Sequence, residues 1–138
     1  MSVKRRDVRE SAFILIFESS FQDNSIDQIA QISLENDDIL INDDVIKLAK
    51  NVCDNAEKLD EIISKYSKKR AVERIPKVNL SILRLAIYEA VYDDKVPVNV
   101  AISEAVALAE KYALDADVSF INGVLGSFSR SDDALKNE

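Results

Sequence analysis

The sequence predicts an all-α protein of six or seven helices, and three observations carry that expectation. Glycine and proline are scarce, two of each in 138 residues, so the chain has few helix breakers. Ala, Leu, Ile, Glu and Lys are abundant, and these residues lose little on entering a helix. Apolar residues recur at three-to-four spacing, while no segment alternates apolar and polar residues long enough to argue a strand. The length suits one domain, 1–138, with an ordered core over about 4–129 and a polar, frayed tail over 130–138.

The elements follow in order. A first helix is expected over 5–21, where FILIF is apolar on nearly every side and therefore reads as buried. A short second helix runs from Ile26 to about Leu34, with Ser25 as a candidate N-cap. After a polar ENDD loop, Val45, Leu48, Val52, Ala56, Leu59, Ile63 and Tyr66 mark one long amphipathic helix over 43–69. Pro76 interrupts, and a helix follows from about Asn79 to Tyr92. Two more are expected over 99–113 and 117–128, the second containing both glycines, Gly123 and Gly126. A glycine inside a helix costs roughly 1 kcal/mol relative to alanine, so a neighbouring helix or a ligand should approach Gly123. A hairpin at Asn122-Gly123 is the alternative, but its flanks do not alternate.

Composition removes most catalytic chemistry. Apolar residues make up 47% and charged residues 31%, a globular balance. The chain has no histidine, the commonest general base and transition-metal ligand. Two glycines cannot write a P-loop or a dinucleotide-binding loop. Cys53, the single cysteine, excludes an internal disulfide, suits a reducing cytoplasm and reads as a small buried hydrophobe. The pairs Asp37-Asp38, Asp43-Asp44, Asp93-Asp94 and Asp132-Asp133 lack the ligand spacing of a calcium loop and read as caps and solvated loops. No signal peptide and no membrane-spanning run is visible. No enzyme activity, metal or cofactor is expected, and the expected location is cytoplasmic.

The net charge is −7, yet the chain opens with KRRDVRE. On a helix, Arg5, Arg9 and Ile16 fall close together, with Arg6, Phe13 and Phe17 on the adjoining side. Arginine at a helix N-terminus opposes the macrodipole, and a bound phosphate would reverse that penalty. The bland alternative is a solubilising terminus with Arg9 paired to Glu10 or Glu18, and Asp7 inside the cluster favours it. A second basic stretch, KYSKKR at 65–70, extends through Arg74 and Lys77; cations near a helix C-terminus are sufficiently explained by the dipole. Residues 22–61 are dominated by Asp and Glu, so charge is segregated along the chain and a basic face on an acidic protein is compatible with it.

RRDVRESAF, VNLSILRLAIYE, VPVNVAISEAVALAEKY and FINGVL, in this order and spacing, resemble the NusB family of bacterial transcription antitermination factors, from Lys4 to about Phe128. The resemblance implies an all-helical protein built as two packed helical bundles, with no catalysis. It implies binding of single-stranded boxA-type RNA jointly with NusE, a small-subunit ribosomal protein. It further implies a place with the transcription elongation complex during processive transcription of ribosomal RNA operons. Carried over by position, the RNA-binding residues would be Lys4, Arg5, Arg6, Arg9, Phe17, Phe120 and Asn122. Arginines would neutralise phosphates while the aromatics stack on splayed bases. The partner-binding residues would be Arg74, Asn79, Leu80, Arg84 and Tyr88.

Several positions depart from the family pattern. Asp7 stands where relatives often carry a basic residue, and Arg70 where tryptophan is common. Asn79-Leu80 replaces a usually charged pair, and Ala116 and Ser119 are uncharged where relatives can carry charge. Two other readings stay open. The same fold forms the N-terminal domain of some ribosomal RNA cytosine methyltransferases, although no glycine-rich cofactor loop or catalytic cysteine motif is present here. A protein-interaction module without RNA binding is the other, and a second copy of the chain is a further compatible partner.

Overall fold

The computed structural model describes residues 3–35 and 39–135. Among them the chain forms seven α-helices and two short 3-10 turns, and no strand. The helices are α1 (Arg5–Ser19), α2 (Ile26–Ser33), α3 (Asp43–Asp54), α4 (Ala56–Tyr66), α5 (Lys77–Tyr92), α6 (Val98–Tyr112) and α7 (Asp115–Ser129). They divide into two compact units, Met1–Asp54 and Asn55–Glu138. The expected all-α class and helix count are present.

In the first unit α1, α2 and α3 pack against one another in pairs. FILIF supplies Phe13, Leu15 and Ile16 as buried side chains, while Ile14 and Phe17 are half-buried. Ser25 caps α2 as expected, and does so reciprocally. Its hydroxyl accepts from the Gln28 N–H at 3.2 Å, and the Gln28 side chain accepts from the Ser25 N–H at 2.8 Å. The Asn42 side chain accepts from the Val45 N–H at 2.9 Å at the start of α3. Asp43 and Asp44 then occupy the first turn, where the helix dipole favours them.

The long helix expected over 43–69 is two helices, broken at Asn55 between the units. Asn55 has φ −103° and ψ 12°, the bridge region, and its carbonyl accepts from the Leu59 N–H to start α4. Asp54-Asn55 is a pair whose side chains compete with the helical backbone. The apolar spacing gives no warning, because Val52, Ala56 and Leu59 keep the same three-to-four phase across the break.

In the second unit α5 packs against α4, α6 and α7. Asn79, Ser81, Ile82, Leu83, Leu85, Ala86, Ile87, Glu89, Ala90 and Val91 are all buried, so α5 stays partly open chiefly along the narrow stripe of Lys77, Leu80, Arg84 and Tyr88. Pro76 and Pro97 immediately precede α5 and α6, where a missing N–H costs nothing. Arg84 on α5 donates through Nε and Nη2 to both carboxylate oxygens of Asp60 on α4, each at 2.7 Å, a bidentate clamp between the two helices.

Residues 130–135 are more ordered than their polar sequence suggests, and 136–138 of the expected tail lie outside the described residues. Asp132–Ala134 form a 3-10 turn, Ala134 is buried, and the Tyr66 hydroxyl donates to Asp133 Oδ2 at 2.6 Å. One tyrosine and one small apolar residue suffice to pin the segment to α4. The acidic pair Asp37-Asp38 lies outside the described residues. Among the described residues no group of His, Cys, Asp and Glu could hold a metal, and no helix is long and apolar enough to cross a membrane.

The Tyr66 hydrogen bond, with the nearby Lys65 ammonium, holds the Asp133 carboxyl below the ordinary aspartate value of 3.8. A depressed folded-state pKa contributes stability that is present above the unfolded value and lost as pH falls through the folded one. The attachment should therefore be intact at neutral pH and weaken below about pH 3.8. Tyr66→Phe should cost about 1 kcal/mol in denaturant unfolding at pH 7. The cost should shrink as pH falls below the ordinary aspartate range and through the depressed folded-state value, where Asp133 takes up a proton and loses the charge that the Tyr66 hydroxyl favours.

Candidate nucleic-acid interface

The basic start occupies the first turns of α1. Lys4 is its N-cap and makes no side-chain capping bond, so helix N–H groups at this end lack that partner. Lys4, Arg5 and Arg6 are exposed, and so is Asp7. Arg6 and Phe17 are eleven residues apart, within about 20° on the wheel and about 16 Å along the axis. That places cationic head and aromatic ring on one helix face. Phe17 stacks against Phe13 at 6.1 Å between centroids and meets Phe21 edge-on at 4.9 Å. Phe21 is 61% exposed, the most open aromatic among the large apolar residues at the surface. Phe17 and Phe21 are thus an aromatic ledge rather than a single ring.

Arg9 differs from its neighbours. It is only 5% exposed, so its guanidinium is packed into the protein rather than presented to a ligand. The sequence grouped it with Arg5 and Ile16, and Ile16 is buried too. The wheel gave the direction of Arg9 but could not say that this direction points inward.

The other expected RNA residues lie on α7 in the second unit. Asn122 is exposed and Phe120 is half-buried. The face of Phe120 is already covered: the Arg70 guanidinium carbon sits 4.5 Å from the ring centroid, and Arg70 Nη1 donates to Asp117 Oδ1 at 3.2 Å. Arg70 thus lies over the Phe120 ring while paired to Asp117.

Gly123 is exposed, and a Cβ added there would meet nothing within 4 Å. The expected close approach of a neighbouring helix is absent, and so is a hairpin, since both glycines lie inside α7. Gly126 would make only ordinary contact, 3.5 Å from the end of Arg130. Cys53 is half-buried rather than buried, with the Ser19 hydroxyl 3.7 Å from its sulfur.

The expected partner residues do not present a uniform surface. Arg74 is exposed, Leu80 and Tyr88 are half-buried, and Arg84 is committed to Asp60. Asn79 is 1% exposed and its Nδ2 has no hydrogen-bond partner, an unusual state for a buried amide. Beside α7, a groove of about 870 Å³ is lined by Val98, Ile102 and Val106 of α6 together with Asn122.

A sequence model described as the NusB family matches residues 6–130. The chain belongs to the NusB family. It is 44% identical to the transcription antitermination protein NusB of Acetivibrio thermocellus over 124 residues, covering 88% of this chain and 86% of that protein. It is 37% identical to the protein of the same name from Clostridium acetobutylicum, covering 94% and 97%. The fold is similar to that of T. maritima NusB, with a TM-score of 0.78 at 28% identity, over 95% of this chain and 94% of that one. It is also similar to a chain in the crystal structure of antitermination factors NusB and NusE in complex with dsRNA. There the TM-score is 0.76 at 24% identity, over 90% and 94%, a likeness of fold.

Two contacts near the expected residues were not read from the sequence, that of Phe21 with Phe17 and that of Arg70 with Phe120. Phe21 was legible, since Phe13, Phe17 and Phe21 repeat at four-residue intervals. Arg70 was not, because its ring partner is fifty positions away and only tertiary structure joins them.

These placements separate residues that look alike in the sequence. Arg5→Ala and Arg6→Ala should each change folding stability by less than about 0.5 kcal/mol, whereas Arg9→Ala should cost about 1–3 kcal/mol. Denaturant midpoints of the three variants check this, and equal midpoints would place Arg9 at the surface. Gly123→Ala should stabilise the protein by about 0.5–1 kcal/mol, since helix propensity rises and no atom obstructs the methyl group.

Proposed function

We propose that this chain is an RNA-binding transcription antitermination factor. It takes single-stranded boxA-type RNA jointly with NusE and supports processive transcription of ribosomal RNA operons in the cytoplasm, without catalysing a reaction. The observation that carries the reading is the start of α1 in a member of the NusB family. Exposed Lys4, Arg5 and Arg6 gather at a helix N-terminus, and Arg6 shares its face with the Phe17–Phe21 ledge. Cations and helix N–H groups suit phosphate oxygens, and the aromatic ledge suits unstacked bases. The relatives named as transcription antitermination proteins, and the neighbour assembled with NusE and dsRNA, support the same reading.

The residues divide the work by exposure. Lys4, Arg5 and Arg6 neutralise phosphate, Phe17 stacks, and Arg9 holds α1 in place from beneath. On the second unit Phe120 and Asn122 stand on different sides of α7, Phe120 beneath Arg70 and Asn122 in the groove beside α6. NusE engages the surface carrying Arg74, Leu80 and Tyr88. The Asp60 clamp and the buried Asn79 support that surface from within.

Fluorescence anisotropy with a labelled boxA-type single-stranded RNA, with and without NusE, tests the proposal. Binding should be weak alone and tighter with NusE. The double variant R5A/R6A should lose on the order of tenfold in affinity. It should also flatten the salt dependence by roughly 1.4 in slope, two phosphates at about 0.7 each. Unchanged affinity of the double variant at physiological salt would remove α1 from the RNA interface.

A further inference from the structure

The turn that follows α4 carries a cation fixed in place at both ends. The Ser67 hydroxyl, itself buried, donates to the Arg70 carbonyl at 2.6 Å and so closes the turn over Lys68 and Lys69. At the other end, the Arg70 guanidinium lies 4.5 Å over the Phe120 ring and reaches Asp117 at 3.2 Å. Asp117 and Phe120 are three residues apart in the first turns of α7, on the same side of the helix. Carboxylate and ring therefore hold one guanidinium between them. The Asp117 side chain is only 11% exposed, but that of Arg70 is 35% exposed. The outward side of this assembly is cationic.

The surrounding charge points the same way. Residues 68–77 hold Lys68, Lys69, Arg70, Arg74 and Lys77 against Glu73 alone. Lys68 and Lys69 are exposed, and among the described residues neither has an ion-pair partner. A helix C-terminus explains a cation in its last turn, such as Lys65 on α4, but not residues beyond its C-cap at Ser67.

We propose that Arg70 is the RNA-stacking surface of the second unit. A nucleobase of the bound single strand lies on the outer face of the guanidinium, Phe120 forms the floor beneath it, and Lys68 and Lys69 neutralise the adjoining phosphates. The proposal rests on the RNA-binding reading above and changes the part played by Phe120 from direct base contact to support. A guanidinium is flat, delocalised and weakly hydrated, so it can stack on a ring below and a base above. Asp117 and Ser67 hold it in that pose before RNA arrives, which reduces the ordering cost of binding.

The test uses the full chain with NusE and a boxA-type single-stranded RNA carrying 2-aminopurine at successive positions, with R5A/R6A measured in parallel. Thermal melts first establish that each variant is folded. R70A should weaken binding roughly tenfold, in the range of losing one base–side-chain stack. R70K should lose nearly as much despite keeping the charge. R70W should stay within about threefold of the parent, since a flat ring replaces a flat cation. One 2-aminopurine position should be quenched in the parent and in R70W but not in R70K. K68A/K69A should flatten the salt slope by roughly 1.4. If R70K binds and quenches like the parent, or R70W fails like R70A, the stacking role is wrong. R5A/R6A losing affinity while R70A does not would overturn this proposal alone, and a parent chain that binds no RNA with NusE would overturn both.

Discussion

Helix α5 buries ten of its sixteen residues, and the second unit is organised around that constraint. Its buried sides must be covered, and α4, α6 and α7 do so, while the stripe of Lys77, Leu80, Arg84 and Tyr88 stays partly open. Burial on that scale also encloses polar groups, each of which needs a partner. Ser81 returns its hydroxyl to the Lys77 carbonyl at 2.7 Å, and Arg84 meets Asp60 through two bonds. Asn79 Nδ2 is the exception among the described side chains. A fully buried amide left without a partner is a cost the rest of the packing must offset. It lies on the helix whose half-buried Leu80 and Tyr88 belong to the proposed NusE surface.

A surface proposed to bind RNA gains from side chains that are held in place before the strand arrives. Aromatic stacking is effective only when the ring is held in place before the base arrives. In the first unit Phe17 is braced by Phe13 on one side and Phe21 on the other. In the second, Phe120 sits under Arg70, whose guanidinium is tied to a carboxylate one helical turn away. The overall charge of −7 does not oppose this arrangement, because the charge is segregated along the chain and some acids are paired away from these cations. Asp27 pairs with Lys50, Asp60 with Arg84 and Asp133 with Lys65 and Tyr66. Cations at the start of α1 and after α4 keep their local sign within about a Debye length of the surface.

How much was legible depended on the range of the interaction that decides each feature. The Ser25 cap is a four-residue affair and was readable from the chain; so was the buried character of FILIF. The break at Asn55 was not, because the apolar phase continues unchanged through Val52, Ala56 and Leu59 and only a single backbone conformation differs. Residues 130–135 look frayed in the sequence because they are polar, yet a long-range hydrogen bond from Tyr66 anchors Asp133 among them. Gly123 shows the reverse error: a residue that suggests close packing in the sequence faces open space.

By itself, the sequence determined the all-helical class, the Ser25 cap and the motif order that marks the NusB family, since each is set by local propensity or by the identity of residues. Tertiary structure alone decided which of three neighbouring arginines turns inward, that Arg70 lies on Phe120, and that Asp60 clamps Arg84. Those outcomes depend on which helix faces meet, and a one-dimensional pattern fixes the direction of a side chain on its own helix without saying what stands opposite.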